Sequence, residues 1–194
     1  MWENTIMYKQ CNSEITAKRQ RNLENCLLAL MQTTAYEKIA VGDICAAANV
    51  PRGMFYRYFD SKKDALDALI DHTLLEYMTT ISLAENTLAD DPLGIRALLL
   101  YWKSQKPLLD ALKRNHMEAL LFERSIRYCT VEEQILSRHL KLAGNPAELE
   151  VAAFCINGVI SAIFVWYESG FAKPPEEMAH ILCKLLTGPI VSPK

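Results

Sequence analysis

Within Pro51–Tyr58 the chain gathers Arg52, Gly53, Met54, Tyr56, Arg57 and Tyr58, a mixture suited to recognition rather than to bond breaking. Guanidinium groups reach guanine edges or phosphate oxygens, tyrosine hydroxyls reach phosphates, and a glycine lets another backbone come close. Lys62 and Lys63 follow in the first turn of an expected helix, where the macrodipole disfavours cations. A phosphate lying against that helix end would reverse the preference; an ordinary solvated helix start would also accommodate both lysines. From Lys9 to Lys63 there are nine Lys or Arg against five Asp or Glu, a local surplus of four, in a chain of formal net charge −2. Bulk charge is therefore excluded as the means of holding a polyanion, and a local basic surface is what the pattern allows.

The elements that must carry these groups are helices. The chain has 194 residues, 51% of them hydrophobic, with 7 Gly and 8 Pro, which supplies a large core and argues against many tight turns. Leu23, Leu27, Leu30 and Met31 recur at helical steps in Thr16–Thr33. Val41–Ala48 and Pro51–Phe59 read as two short helices joined at Asn49-Val50, where Asn tolerates a left-handed turn. Ile44, Ala48, Val50, Phe55 and Phe59 are spaced to share one small core beneath them. Ser61-Lys62-Lys63-Asp64 has the pattern of a capping box and opens a helix expected to reach about Thr80.

After the polar stretch Glu85–Asp91, Asp91-Pro92 marks another helix start. Leu93–Lys103, Pro107–Arg114 and Met117–Leu142 follow as helical segments, and Gly144-Asn145-Pro146 separates them from a helix ending at Gly170. Pro174-Pro175-Glu176-Glu177 starts the last one. The expectation is an all-α chain of about nine helices without strands. Its parts are an arm over 1–14, a three-helix domain over 15–75 with the helix-turn-helix at about 39–58, and a larger domain over 76–194.

Other chemistries lack their signatures. There is no G-x-S-x-G, Gly-rich phosphate loop or H-E-x-x-H, so no enzyme, catalytic residue or cofactor is expected. His72, His116, His139 and His180 have no ligand spacing with one another or with cysteine, and no metal is expected. Cys11, Cys26, Cys45, Cys129, Cys155 and Cys183 are dispersed and read as free thiols of an intracellular protein. Met1–Asn12 lacks the features of a signal peptide, and the apolar run Val151–Tyr167 is interrupted by Asn157, Gly158 and Ser161. It reads as a buried helix rather than a membrane span, and the expected location is the cytoplasm.

Tyr36–Leu66 resembles the N-terminal domain of the TetR family of bacterial transcriptional regulators. The resemblance rests on Ile44, Ala48 and Val50 at their spacing, on Tyr56-x-Tyr58-Phe59, and on Ser61-Lys62 followed by Leu66. Farther on, Asn157-Gly158, Trp166, Gly170 and Pro175–Met178 are similar to the subgroup of dihydroxyacetone-kinase regulators. The resemblance implies that Pro51–Tyr58 is a recognition helix. Tyr56 and Lys62 would contact phosphates, while Arg52, Gly53, Met54, Arg57 and Tyr58 would face bases or backbone. Three positions depart from the family pattern: Ala40 stands for a usual Thr, Asn49 for a Gly, and Pro51 for a Ser or Thr cap.

A helix apolar on nearly every side, Ala152–Tyr167, needs covering on every side. A homodimer is expected, with Gly158, Ser161, Ala162 and Val165 at a four-helix interface that also uses the last helix. Such a dimer would set two recognition helices about 34–36 Å apart, as a near-palindromic duplex operator requires. The resemblance also implies a small-molecule effector among the central helices. Tyr101, Trp102, Met117, Leu121, Phe122, Phe154 and Trp166 are the candidate lining residues, although the same spacing describes plain core. The expected function is a ligand-responsive repressor. A co-regulator or activator of the same fold acting through protein partners is the alternative, and a helical small-molecule binder a third.

Overall fold

A computed structural model describes residues 14–84, 94–131 and 148–187, with side chains over 14–77, 94–126 and 150–186. Among them are nine α-helices and no strand. They are α1 (Glu14–Met31), α2 (Val41–Ala47), α3 (Arg52–Tyr58), α4 (Lys62–Ala84), α5 (Ile95–Ser104), α6 (Lys106–Arg114), α7 (Glu118–Val131), α8 (Glu148–Glu168) and α9 (Pro175–Thr187). A 3-10 turn at Tyr36–Lys38, which the periodicity did not anticipate, leads into α2. The expected start at Asp91-Pro92 and the break at Gly144-Asn145-Pro146 lie outside the described residues.

The chain divides into two compact units. The first takes residues up to Thr73 together with Asp110–Leu120, and the second takes Leu74–Leu109 and Leu121 onward. In the first unit α1 packs on α2 and α2 on α3. Leu23, Leu27 and Met31 of α1 are closed to solvent, as are Ile44, Phe55, Phe59, Leu66 and Ile70. Each such side chain contributes roughly 1.5–3 kcal/mol on leaving water. In the second unit α5 packs on α8 and α9, around Leu98, Leu99, Trp102, Ile163, Trp166 and Leu182.

Helix ends follow from local chemistry. Asn49 takes φ 53°, and Val50 N–H donates to Cys45 O (3.0 Å) while Asn49 N–H donates to Ala46 O (3.2 Å). This left-handed Schellman closure lets α3 leave α2 after only four residues. Gly170 ends α8 the same way, with φ 68° and Phe171 N–H on Trp166 O at 2.8 Å. At α4 the capping box forms in full: Asp64 N–H donates to Ser61 Oγ (3.2 Å) and Ser61 N–H to Asp64 Oδ2 (2.9 Å). At α2 only half of one exists. Asp43 accepts from Ala40 N–H at 2.8 Å, but Ala40 has no side-chain oxygen to return. Ala40→Thr is therefore expected to stabilise the fold by about 1 kcal/mol, read as a raised urea midpoint at constant slope. An unchanged midpoint would show that Asp43 alone already satisfies this helix start.

Candidate nucleic-acid interface

Helix α3 is only two turns long and has two unlike faces. Phe55 and Tyr58, three apart, point inward with Phe59, and the Phe55 and Phe59 rings lie 5.2 Å apart. Gly53, Tyr56 and Arg57, at steps of three and four, share the outer face with Arg52. Tyr56 leans edge-on against Phe55 at 5.5 Å, so a core ring fixes its base while the side chain stays 48% exposed. Met54 is half-buried. Among the described residues no acceptor takes a hydrogen bond from the guanidinium of Arg52 or of Arg57.

Tyr58 departs from its expected position on the outer face. It is only 6% exposed and belongs to the core of the first unit. The physical reason is the helical period: three residues after the anchored Phe55, position 58 must turn inward.

Lys62 also has an internal occupation. Its Nζ donates to Tyr36 O (2.5 Å) and Ile39 O (2.7 Å), and stands 4.2 Å above the Tyr36 ring. Burial pushes this ammonium below the usual lysine range, and Glu37 partly offsets the effect. Lys63 reaches the buried carboxylate of Asp67 at 2.7 Å. Both first-turn cations thus have partners within the fold, so the unfavourable helix end is explained without an external phosphate.

Around Lys62 the approach to α2 is tied down from several directions. Tyr36 N–H donates to Asn115 Oδ1 (2.7 Å), and Arg114 donates to Gln32 O and Thr33 O (3.0 Å each). The Tyr36 phenol is pushed up to about 12, by burial first and then by Asp67, Asp64 and Glu37. These ties hold the carbonyls beyond the end of α1 and the entry to α2, and hence the pedestal of α3. Sequence reading missed Arg114 and Asn115 because their partners are about 80 residues away, with no local periodicity to betray them.

On α8, Gly158, Ser161 and Val165 are exposed and Ala162 is half-buried. Phe154, expected to line a pocket, is instead 64% exposed. It falls in register with Gly158, Ser161 and Val165 at steps of four, three and four, on one outward stripe. The helical period is again the physical reason, because Phe154 faces away from inward-turned Ile160 and Ile163.

Trp102, Leu121 and Trp166 are fully buried, and the Trp166 indole donates to Lys173 O at 2.8 Å. Tyr101 and Phe122 are half-buried; Tyr101 faces Tyr77 at 6.2 Å and Phe122 stacks on Phe164 at 5.9 Å. Met117 belongs to the segment grouped with the first unit. Cys26, Cys45, Cys155 and Cys183 are not in disulfides, and no cluster of metal-ligating side chains occurs among the described residues.

Comparison with known proteins agrees with this geometry. Residues 27–69 match the profile of bacterial regulatory proteins of the tetR family, and residues 93–188 match a transcriptional regulator C-terminal region. No curated protein matches the chain. Among solved structures, a TetR-family transcriptional regulator from Streptomyces coelicolor superposes with a TM-score of 0.64 at 17% identity, over 91% of this chain and 99% of that one. The fatty acid degradation regulator FadR from Bacillus halodurans gives 0.62 at 14% identity, over 93% and 97%. The TetR-like regulator LfrR from Mycobacterium smegmatis, in complex with proflavine, gives 0.54 at 19% identity, over 91% and 98%. At such identities the structures establish the shared fold. The two profiles span most of the chain, and the helix-turn-helix with its outward arginines lies inside the first. The chain therefore belongs to the TetR family of bacterial transcriptional regulators.

Proposed function

We propose that the protein is a homodimeric, cytoplasmic repressor that reads a near-palindromic duplex operator through residues 51–58 of each protomer and releases it on binding a small effector. The observation that carries the reading is the outer face of α3. Two guanidinium groups without acceptors among the described residues flank a glycine whose added Cβ would meet nothing within 4 Å. A glycine in a helix interior costs roughly 0.5–1 kcal/mol relative to alanine, and a glycine in the first turn part of that. Nothing inside the fold needs Gly53 to be small, whereas a DNA backbone or base edge approaching α3 does.

The partner for α8 is a second copy of the chain. This helix is long and apolar enough to cross a membrane, yet only about a third of it is buried within one protomer. Its outward stripe mixes Phe154 and Val165 with Gly158 and Ser161. Small residues between large apolar ones suit a close helix–helix crossing, and no Cβ contact within the protomer requires the glycine at 158. The aromatic group of Tyr77, Tyr101 and Trp102, with Glu76 hydrogen-bonded to Tyr101, supports an effector with a planar apolar part. The solved structure of LfrR in complex with proflavine supports the same reading. Asn157-Gly158, Trp166, Gly170 and Pro175–Met178 support kinship with the dihydroxyacetone-kinase regulator subgroup.

The test is selection of sheared genomic DNA by the purified protein, followed by anisotropy titration of the recovered duplex at two salt concentrations. A near-palindrome is expected, with log affinity falling by about 0.9 per phosphate contact for each unit of log salt. A folded dimer that recovers no duplex would favour the co-regulator reading, for which the missing hydroxyl at Ala40 is the supporting observation.

A further inference from the structure

Gly42 is the second residue of α2, and its lack of a side chain is used by a residue of α3. A Cβ built on Gly42 would lie 2.5 Å from Arg52 Nη2, and 3.3 Å from both Cζ and Nε. Three guanidinium atoms at such distances mean that the group lies across the bare Cα of Gly42. The charge is also felt deeper in α2, where burial pushes the Cys45 thiol up and Arg52 offsets part of that push. Nothing else holds Arg52 there, since no acceptor among the described residues takes its N–H groups. The side chain would otherwise sample several rotamers from its exposed position at the start of α3.

We propose that Gly42 is a positioning residue for DNA reading: it provides a flat seat that preorients the Arg52 guanidinium, and so decides which phosphate oxygen or base edge Arg52 reaches. The inference rests on the DNA-reading role given to α3 above. An arginine held in one orientation loses less rotamer freedom on binding than a free one, and its planar fork requires a defined approach to make two parallel hydrogen bonds. Any side chain at 42 displaces the guanidinium. Because the displaced atoms are the far end of a flexible side chain, the fold itself accommodates the change.

The experiment is a double-mutant cycle on the recovered duplex and on single-base variants of it, using Gly42→Ala, Arg52→Ala and the pair. Gly42→Ala is expected to weaken binding by about tenfold and to alter preference at one base pair or phosphate position, while leaving the melting temperature unchanged or raised. In the Arg52→Ala background the same change is expected to alter affinity by less than about twofold. Gly42→Ser repeats the test with a polar side chain of similar bulk. An equal loss in both backgrounds, or no loss in the wild-type background, overturns the inference while leaving the DNA reading intact. A wild-type dimer that binds no duplex overturns both.

Discussion

Val165→Asp is expected to convert the dimer into a folded monomer and to abolish operator binding with it. Val165 is 68% exposed in the protomer, so the carboxylate stays hydrated in the monomer and leaves the core of the second unit intact. In a two-fold interface the same substitution occurs twice, on facing helices, and buries two like charges next to each other. A cost on the order of 4 kcal/mol for the pair corresponds to about a thousandfold in the dimer dissociation constant. Sedimentation at several protein concentrations reads the association directly, and far-UV circular dichroism checks that the helices persist. Operator affinity falls further than any single DNA contact could explain, because one recognition helix then acts without its mate. A variant that remains fully dimeric would move the interface away from the α8 stripe, toward exposed Leu75, Leu100 or Ile126.

Much of this fold was legible in the sequence, and the parts that were not have two physical causes. Helical periods placed Leu23, Leu27 and Met31 inside, and turn chemistry placed Asn49, the Ser61–Asp64 box and Gly170 at helix ends. Those are decisions made within about five residues of chain. What escaped were interactions whose two halves are distant: Lys62 on the carbonyls of Tyr36 and Ile39, Arg114 on Gln32 and Thr33, and Arg52 on Gly42. A lysine or arginine reads as exposed in sequence because it usually is, and its long stem hides where the charge ends up. Tyr58 and Phe154 were misplaced for a different reason. An aromatic residue serves core and surface equally well by composition, and only the phase of its own helix decides between them.

The same distinction separates Arg57 from Lys62 in their expected behaviour on DNA. Arg57→Ala removes a guanidinium with no internal acceptor among the described residues. Folding stability is expected to stay within about 0.5 kcal/mol of wild type, as for other exposed positions without a special role. Operator affinity is expected to drop by about 1–3 kcal/mol, or roughly 5- to 150-fold, with discrimination at one base pair relaxed. Equal losses on matched and mismatched duplexes would make Arg57 a phosphate contact instead. Lys62→Ala leaves the half-buried carbonyls of Tyr36 and Ile39 without their donor, which costs about 1–3 kcal/mol of stability. Its effect on DNA comes through the loosened entry to α2, so the salt slope should stay near the wild-type value while affinity and melting temperature fall together. A slope shallower by about one unit with unchanged melting temperature would instead make Lys62 a direct phosphate ligand that leaves its internal carbonyls on binding. Measuring both variants in one titration series therefore separates the side chains that touch the operator from those that hold the reading helix in place.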